Sequence, residues 1–504
     1  MTPLLDNNWH RGKNIGASHS ITVTGRQGFC LFTDNDTNFV YAKNEFPFTL
    51  ERQNGKVELT AHMIRKNVML NEPAQYTLCV MAAPGKFPRA DWRKIHSEGW
   101  LEYPGQTLAV RGWSHEQGIA GFKRSYLLTQ PENPVTLKQA VADYAKKGVA
   151  CIPYCCNNLI PTENALYDYF GKAWARPIHG EAIKISYLKD PDGTLFYFGA
   201  PVCPNIPGFR DYIAFYLAKN MDEFGFKGIY FDAGGSAATD NPYNQVPRKN
   251  VLTRDRQVNL VNVFGVRDLY RRLYKIIRER DENGYLYIHS WRTFHPAYMS
   301  FVDIVNPGEE YMHSFPRNHH VYIEDKELSA PEVWRYNYNS EVMGVTVQFL
   351  SLLQWCPEIK AWFQKGLRNS IPERFNASKA MITMCLLHDV PMSGGGYPGI
   401  EGLWPAMDAL NLDKAVFMPY YEQKEITGSD PDIRISYYKF AGNDKAVLIL
   451  ANLTKTPKTI ILDSGKFGFR PVVARDVWPG TAKVELDKPV SVDGYGFRIL
   501  SIGK

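Results

Sequence analysis

The sequence predicts an α/β protein. A central (β/α)8 (TIM) barrel is expected, with a β-rich, sandwich-like segment before it and an antiparallel β-domain after it. Three observations predict this. Between about residues 91 and 425, short apolar runs alternate with stretches of helical periodicity. Residues 1–90 and 426–504 instead carry period-two runs separated by Asn, Gly and Pro. At 504 residues the chain exceeds what one core supports, and 44% apolar content supplies material for several.

Residues 1–90 contain three alternating runs: Ser20-Ile21-Thr22-Val23-Thr24, Lys56-Val57-Glu58-Leu59-Thr60 and Tyr76-Thr77-Leu78-Cys79-Val80-Met81. They read as antiparallel strands. The barrel region then offers eight candidate strands. The first four are Leu108 to Trp113, Val149 to Tyr154, Leu195 to Ala200, and Gly228-Ile229-Tyr230-Phe231-Asp232. The last four are Tyr285 to His289, Phe301 to Val305, Val345 to Phe349, and Leu387 to Val390. Helices are expected over Leu137 to Lys147, Phe209 to Phe224 and Val263 to Arg280. Beyond about residue 428, runs such as Ile433 to Tyr438, Ala446 to Leu450, Thr459 to Leu462 and Tyr495 to Leu500 build the last domain.

Composition narrows the function. The balance of 58 basic against 52 acidic residues gives +6, without a Lys/Arg block, so nucleic acid is not expected as a partner. The mild positive bias would help an anionic glycan approach. There is no run of 18 apolar residues, so no membrane span is expected. The first 30 residues lack a secretory signal pattern. The chain is then cytoplasmic, or periplasmic or secreted if the start of a precursor is missing. The eight cysteines mostly sit in apolar runs and read as buried thiols. His313, His319 and His320 lack zinc spacing, and no strand leads into a G-x-G-x-x-G turn, so neither a metal nor an organic cofactor is expected.

In a (β/α)8 barrel the C-terminal ends of the strands carry the chemistry. Asp232 ends the fourth strand. Glu309 follows the sixth in Asn306-Pro307-Gly308-Glu309-Glu310-Tyr311. Two such carboxylates can serve as nucleophile and acid/base on a sugar ring. Glu310 and Asp303 are alternatives for the acid/base, and Asp303 also reads as a buried support for a neighbouring Arg or His. The bland alternative is a salt-bridged Asp232 and a solvated Glu309-Glu310 pair. Trp113, His115, Tyr154, Asn157, Asn205, His289, Trp291, Arg292 and Trp404 all fall near predicted strand ends. Aromatic platforms beside Asn, His and Arg are what a carbohydrate pocket needs. Long connections at 233–258 and 306–342 suit a polar ligand.

Gly228 to Asp232 is similar to the fourth-strand motif of the α-galactosidase-like glycoside hydrolase superfamily. The stretch from Val266-Arg267-Asp268-Leu269-Tyr270 through His289-Ser290 to Gly308-Glu309 resembles a branch near the endo-α-N-acetylgalactosaminidases. The segment from Val80 to Arg93 resembles that branch's junction between sandwich and barrel. The resemblance implies Asp232 as nucleophile, Glu309 as acid/base, and a retaining reaction on an α-linked hexose or N-acetylhexosamine. It also implies that residues 1–90 are the end of a larger sandwich. After Asp232 the chain reads Ala-Gly-Gly-Ser, where the family carries a polar loop with cysteine. An inverting glycosidase with the same acids, a non-catalytic glycan-binding protein on a barrel, and a barrel lyase or isomerase remain as alternatives.

Overall fold

The computed structural model describes residues 3–5, 20–23, 28–35, 37–40, 48–98, 102–111, 134–156, 159–161, 165–176, 186–189, 195–232, 234, 239–247, 249–254, 261–289, 295–311, 314–350, 353, 371–395, 398–442, 444–467 and 473–503. One seven-stranded sheet forms the centre. Its order is Thr346–Val347, Ile304–Val305, Tyr285–Ile288, Gly228–Asp232, Ala150–Cys156, Leu108–Arg111 and Ser97–Glu98. The pairs with a described register are parallel. The chain divides into two compact units.

The first unit comprises residues 1–87, 110–305 and 341–345. Its N-terminal part is an antiparallel sheet in the order Pro3–Leu5, Ser20–Val23, Gly28–Thr33 and Leu78–Ala83. A separate hairpin joins Phe48–Gln53 to Lys56–Ala61. Cys30 and Phe32 share one face of the sheet and are buried, as strand alternation requires. Phe32 meets the His295 ring edge-on at 5.5 Å, just ahead of the short helix Pro296–Met299.

The strands Gly228–Asp232 and Tyr285–Ile288 are buried along almost their whole length. That is why they read as continuous apolar runs without polar alternation. Helix Val263–Arg280 spans the predicted residues. Val263, Val266, Leu269, Tyr270, Leu273 and Ile277 make its buried stripe. Its first turn is capped by Asn262, whose Oδ1 accepts the Gly265 amide at 2.7 Å.

Several strand assignments need correction. Leu195–Pro201 belongs to a separate antiparallel sheet, between Leu159–Pro161 and Ser186–Lys189. Its apolar run is compatible with either sheet, and only the partner strands decide. The first strand of the central sheet is Ser97–Glu98, two residues in a polar setting that carry no periodic signal. Leu108–Arg111 and Ala150–Cys156 therefore come second and third in chain order. Leu387 to Val390 is not a strand: helix Ile371–Leu387 ends there, and Asp389 turns the chain in the left-handed region at φ 57°.

The second unit comprises residues 88–109, 306–340 and 346–504. In it the extended segment 391–394 runs between Phe349 and Ser97. The Phe349 amide donates to Pro391 O at 2.8 Å, and the Ser393 amide to Phe349 O at 2.9 Å. On the other side the Gly394 amide donates to Ser97 O at 2.9 Å.

The C-terminal six-stranded antiparallel sheet has the order Ala415–Met418, Ile433–Phe440, Lys445–Asn452, Phe497–Gly503, Val473–Asp476 and Lys483–Glu485. Both faces of its middle are covered. Ile435, Tyr437, Leu448 and Leu450 pack with Phe467, Ile460 and Val490. On the opposite face Tyr438 donates its hydroxyl to Asp389 at 2.8 Å, and Arg93 Nη2 donates to the same carboxylate at 2.6 Å.

Candidate active site

Residues two apart on a strand share a face. Three adjacent strands repeat one arrangement: Tyr154 then Cys156, Tyr230 then Asp232, Tyr287 then His289. The parallel register aligns them, pairing Tyr230 with Tyr154 and with Tyr287, and Asp232 with Cys156. The three tyrosines form a layer. Tyr230 stacks on Tyr154 at 5.2 Å and meets Tyr287 edge-on at 4.8 Å. Tyr230 and Tyr287 are buried. Cys156, Asp232 and His289 come one step further toward the C-terminal end.

Asp232 is held at both oxygens. The Tyr154 hydroxyl donates to Oδ2. His289 Nδ1–H donates to Oδ1 at 2.7 Å. The His289 side chain is buried, whereas 27% of the Asp232 side chain remains exposed. Burial, then the Asp232 charge, keep the Tyr154 hydroxyl well above its usual pKa, so it stays a proton donor. Each such bond to a charged group is worth about 1.5–3 kcal/mol. The arrangement orients a carboxylate whose ionised form is favoured by its donors, and leaves part of it accessible.

The chain beyond Asp232 is shaped by close packing. A Cβ at Gly234 would lie 1.9 Å from Ile288 Cγ2. The Gly234 amide donates to His289 O at 3.1 Å, and the Tyr270 hydroxyl donates to Gly234 O. A side chain here would have to displace the Ile288 side chain on the neighbouring strand.

Glu309 begins a 3-10 turn, Glu309–Tyr311, and is half-buried. The loop ahead of it is pinned: Asn306 Nδ2 donates to Gln348 O, and the Leu350 amide donates to Pro307 O at 2.8 Å. Gly308 adopts φ 124°, where side chains are strained, and a Cβ there would lie 2.3 Å from Leu350 O. The Glu310 side chain is outside the described residues.

Asp303 precedes strand Ile304–Val305, so it lies at the strand's N-terminal end. It is buried, accepts from Arg278 Nη2 and from the Leu286 amide at 2.9 Å, and has Lys86 at 3.7 Å. This is a structural anchor.

Asn205 is fully buried just before helix Pro207–Phe224. Trp404 is buried too, stacked on His96 at 4.8 Å, with His96 Nε2 at 2.9 Å from Asp408. Trp113, His115, Asn157, Trp291 and Arg292 lie outside the described residues. Of the residues expected at the site, the structure brings together Asp232, Tyr154 and His289. Tyr230, Tyr287 and Cys156 were not anticipated. Their signal was the recurring Tyr-x-polar spacing at the end of three strands.

Among the described residues, no group of three or more His, Cys, Asp and Glu side chains is placed to hold a metal ion. No described helix is long and apolar enough to cross a membrane. Burial pushes the Cys151 and Cys203 thiols up to about 12, which makes them unreactive at neutral pH.

No protein-family model and no curated protein matches the sequence. Similar solved structures include an α-amylase from Geobacillus thermoleovorans complexed with acarbose: 11% identity over 82% of this chain and 99% of that one, TM-score 0.49. An α-amylase from Lactobacillus plantarum gives 9% identity over 82% and 100%, TM-score 0.49. A type I pullulanase from Bacillus subtilis str. 168 complexed with maltose gives 10% over 99% and 86%, TM-score 0.46. None of these three is from the α-galactosidase-like superfamily that the motifs resemble.

Proposed function

We propose that the protein is a glycoside hydrolase that cleaves an α-linked hexose or N-acetylhexosamine with retention of configuration. The observation that carries this reading is the Asp232 carboxylate, partly exposed at a strand tip and held by Tyr154 and His289. The reading takes the central sheet as a (β/α)8 barrel, with segment 391–394 as its eighth strand. The bond type and the pairing with Glu309 rest on the sequence resemblance.

Asp232 attacks the anomeric carbon while Glu309 gives its proton to the leaving oxygen. The glycosidic C–O bond breaks and an ester to Asp232 forms. Glu309, now a carboxylate, takes a proton from water. The resulting hydroxide attacks the same carbon and releases Asp232. Two inversions give net retention. Tyr154 and His289 hold the nucleophile in line and hand it back unprotonated.

The test compares Asp232→Asn and Glu309→Gln on a natural glycan and an activated aryl glycoside, with circular dichroism confirming folding. Asp232→Asn loses turnover on both. Glu309→Gln keeps much of the first step on the activated substrate, and azide rescues it with retained configuration. Wild-type-like turnover by folded Asp232→Asn ends the proposal.

A further inference from the structure

A cavity of about 430 Å³ opens in the first unit. It shares no lining residue with the Asp232 cluster. Four separate stretches of chain form its walls: Asp34, Asn35 and Asn38; Gln75 and Thr77; the turn Gln245–Pro247; and Asn262, Phe264 and Gly265 at the start of helix Val263–Arg280. Arg210 reaches it from helix Pro207–Phe224. The volume is within the range of small-ligand sites.

The walls are cross-braced. The Thr37 hydroxyl donates to Pro247 O at 2.9 Å, and the Val251 amide to Asn38 Oδ1 at 3.2 Å. The Val263 amide donates to Asp34 O at 3.0 Å, and Asn262 Nδ2 to Asn244 O at 2.6 Å. These bonds occupy the wall amides and fix the cleft's shape before any ligand arrives, which lowers the entropic cost of binding.

What remains is unspent. The side-chain amides of Gln75 and Gln245 and the Thr77 hydroxyl make no hydrogen bond among the described residues, and both glutamines are exposed. Gln245 sits in the left-handed region at φ 61°, which non-glycine residues enter only when the surroundings hold them there. Phe264 is 42% exposed at the same wall.

Charge narrows the ligand. Arg210 Nη1 donates to Asp268 Oδ2 at 2.8 Å and to Gly265 O at 3.2 Å, its Nε is buried without a partner among the described residues, and Asp34 adds a carboxylate to the lining. Asp268 offsets the guanidinium directly, and the Asp34 carboxylate in the lining further disfavours an anion. Free amides that both donate and accept suit hydroxyl groups. A half-exposed phenyl ring suits the C–H face of a pyranose.

We propose that this cleft is a second carbohydrate-binding site that takes one or two neutral hexose units. The proposal does not depend on the catalytic reading of Asp232. Its test uses the full chain carrying Asp232→Asn, so that turnover plays no part. The probes are maltose, methyl α-D-galactopyranoside and, as an anionic control, galacturonate. Binding is followed by calorimetry and by saturation-transfer NMR up to roughly 50 mM, the range of weak single-sugar sites. At least one neutral sugar should bind, galacturonate more weakly. Phe264→Ala should weaken that binding about three- to tenfold. Gln75→Ala with Gln245→Ala should also weaken it, and Thr77→Trp should abolish it by filling the cleft. Thermal melts report folding for each variant.

Activity is measured separately, with Asp232 restored. Phe264→Ala should then leave hydrolysis of a small aryl glycoside unchanged. Loss of all hydrolysis in the parent would strike the catalytic reading and leave the cleft standing. Absence of neutral-sugar binding, binding unaffected by all the cleft variants, or preference for galacturonate overturns the proposal.

Discussion

His289 and Asp232 are 57 residues apart in sequence, yet His289 Nδ1–H donates to Asp232 Oδ1 at 2.7 Å. The bond joins the tips of two adjacent parallel strands. It fixes the ring and leaves the carboxylate's other oxygen to Tyr154. A carboxylate engaged at both oxygens cannot rotate freely, and a nucleophile that must approach in line benefits from that.

Tyr154→Phe keeps the ring and removes one donor. Because that donor favours the charged carboxylate, the acid limb of the kcat/KM profile should move to higher pH. kcat/KM at neutral pH should fall about 10- to 100-fold, the worth of one hydrogen bond to a charge. A pH–rate profile of folded Tyr154→Phe checks both. An unmoved acid limb would make Tyr154 a packing residue.

Gly234→Ala places a methyl group where Ile288 Cγ2 stands, at 1.9 Å. The Ile288 side chain, one residue before His289, must move. Activity should drop at least tenfold, as a displaced positioning group predicts. A crystal structure or the kinetics of the variant will tell, and unchanged turnover would refute the assignment.

Asp303→Asn tests the anchor at the opposite end of a strand. Arg278 and Lys86 lose their buried counter-charge. Stability should fall by about 3 kcal/mol in urea melts. The pH–rate profile of the folded fraction should keep its shape. Loss of one limb of the profile would instead mean that Asp303 takes part in proton transfer.

His388 gives the protein an acid-sensitive stability. It is buried, lies over Trp334 at 5.3 Å and donates Nδ1–H to Met384 O at 2.9 Å. Burial, only partly countered by that bond, pulls its pKa down to about 4. The unfolded chain binds this proton near pH 6.5, so it holds more protons than the folded one between about 4 and 6.5. Stability is unaffected above that window and falls as pH drops through it, by on the order of 3 kcal/mol. His388→Phe should remove this part of the pH dependence, measured as urea midpoints at pH 7 and pH 5. An identical dependence in wild type and variant would assign it elsewhere.

Some of this was legible without coordinates. Gly228 to Asp232 and Tyr285 to Ile288 announce themselves as buried strands, because a strand covered on both faces has no reason to alternate. Val263 to Arg280 announces itself through apolar spacing. These are local signals: side-chain period and backbone preference act within a few residues. Asp232 stood out for the same reason, as a lone acid at the end of an apolar run.

Partner choice left no such mark. Leu195–Pro201 had the composition of a central strand and joined another sheet. Ser97–Glu98 had no strand signal and became part of the central one, because Leu108 and Gly394 supply its hydrogen bonds. Tyr154 and His289 were single polar residues near strand ends until the register set them beside Asp232. Sequence determined which segments are strands or helices wherever burial imprinted a local pattern. Tertiary structure decided which strands pair and which side chains meet, because those contacts join residues far apart in the chain and are won by packing rather than by local propensity.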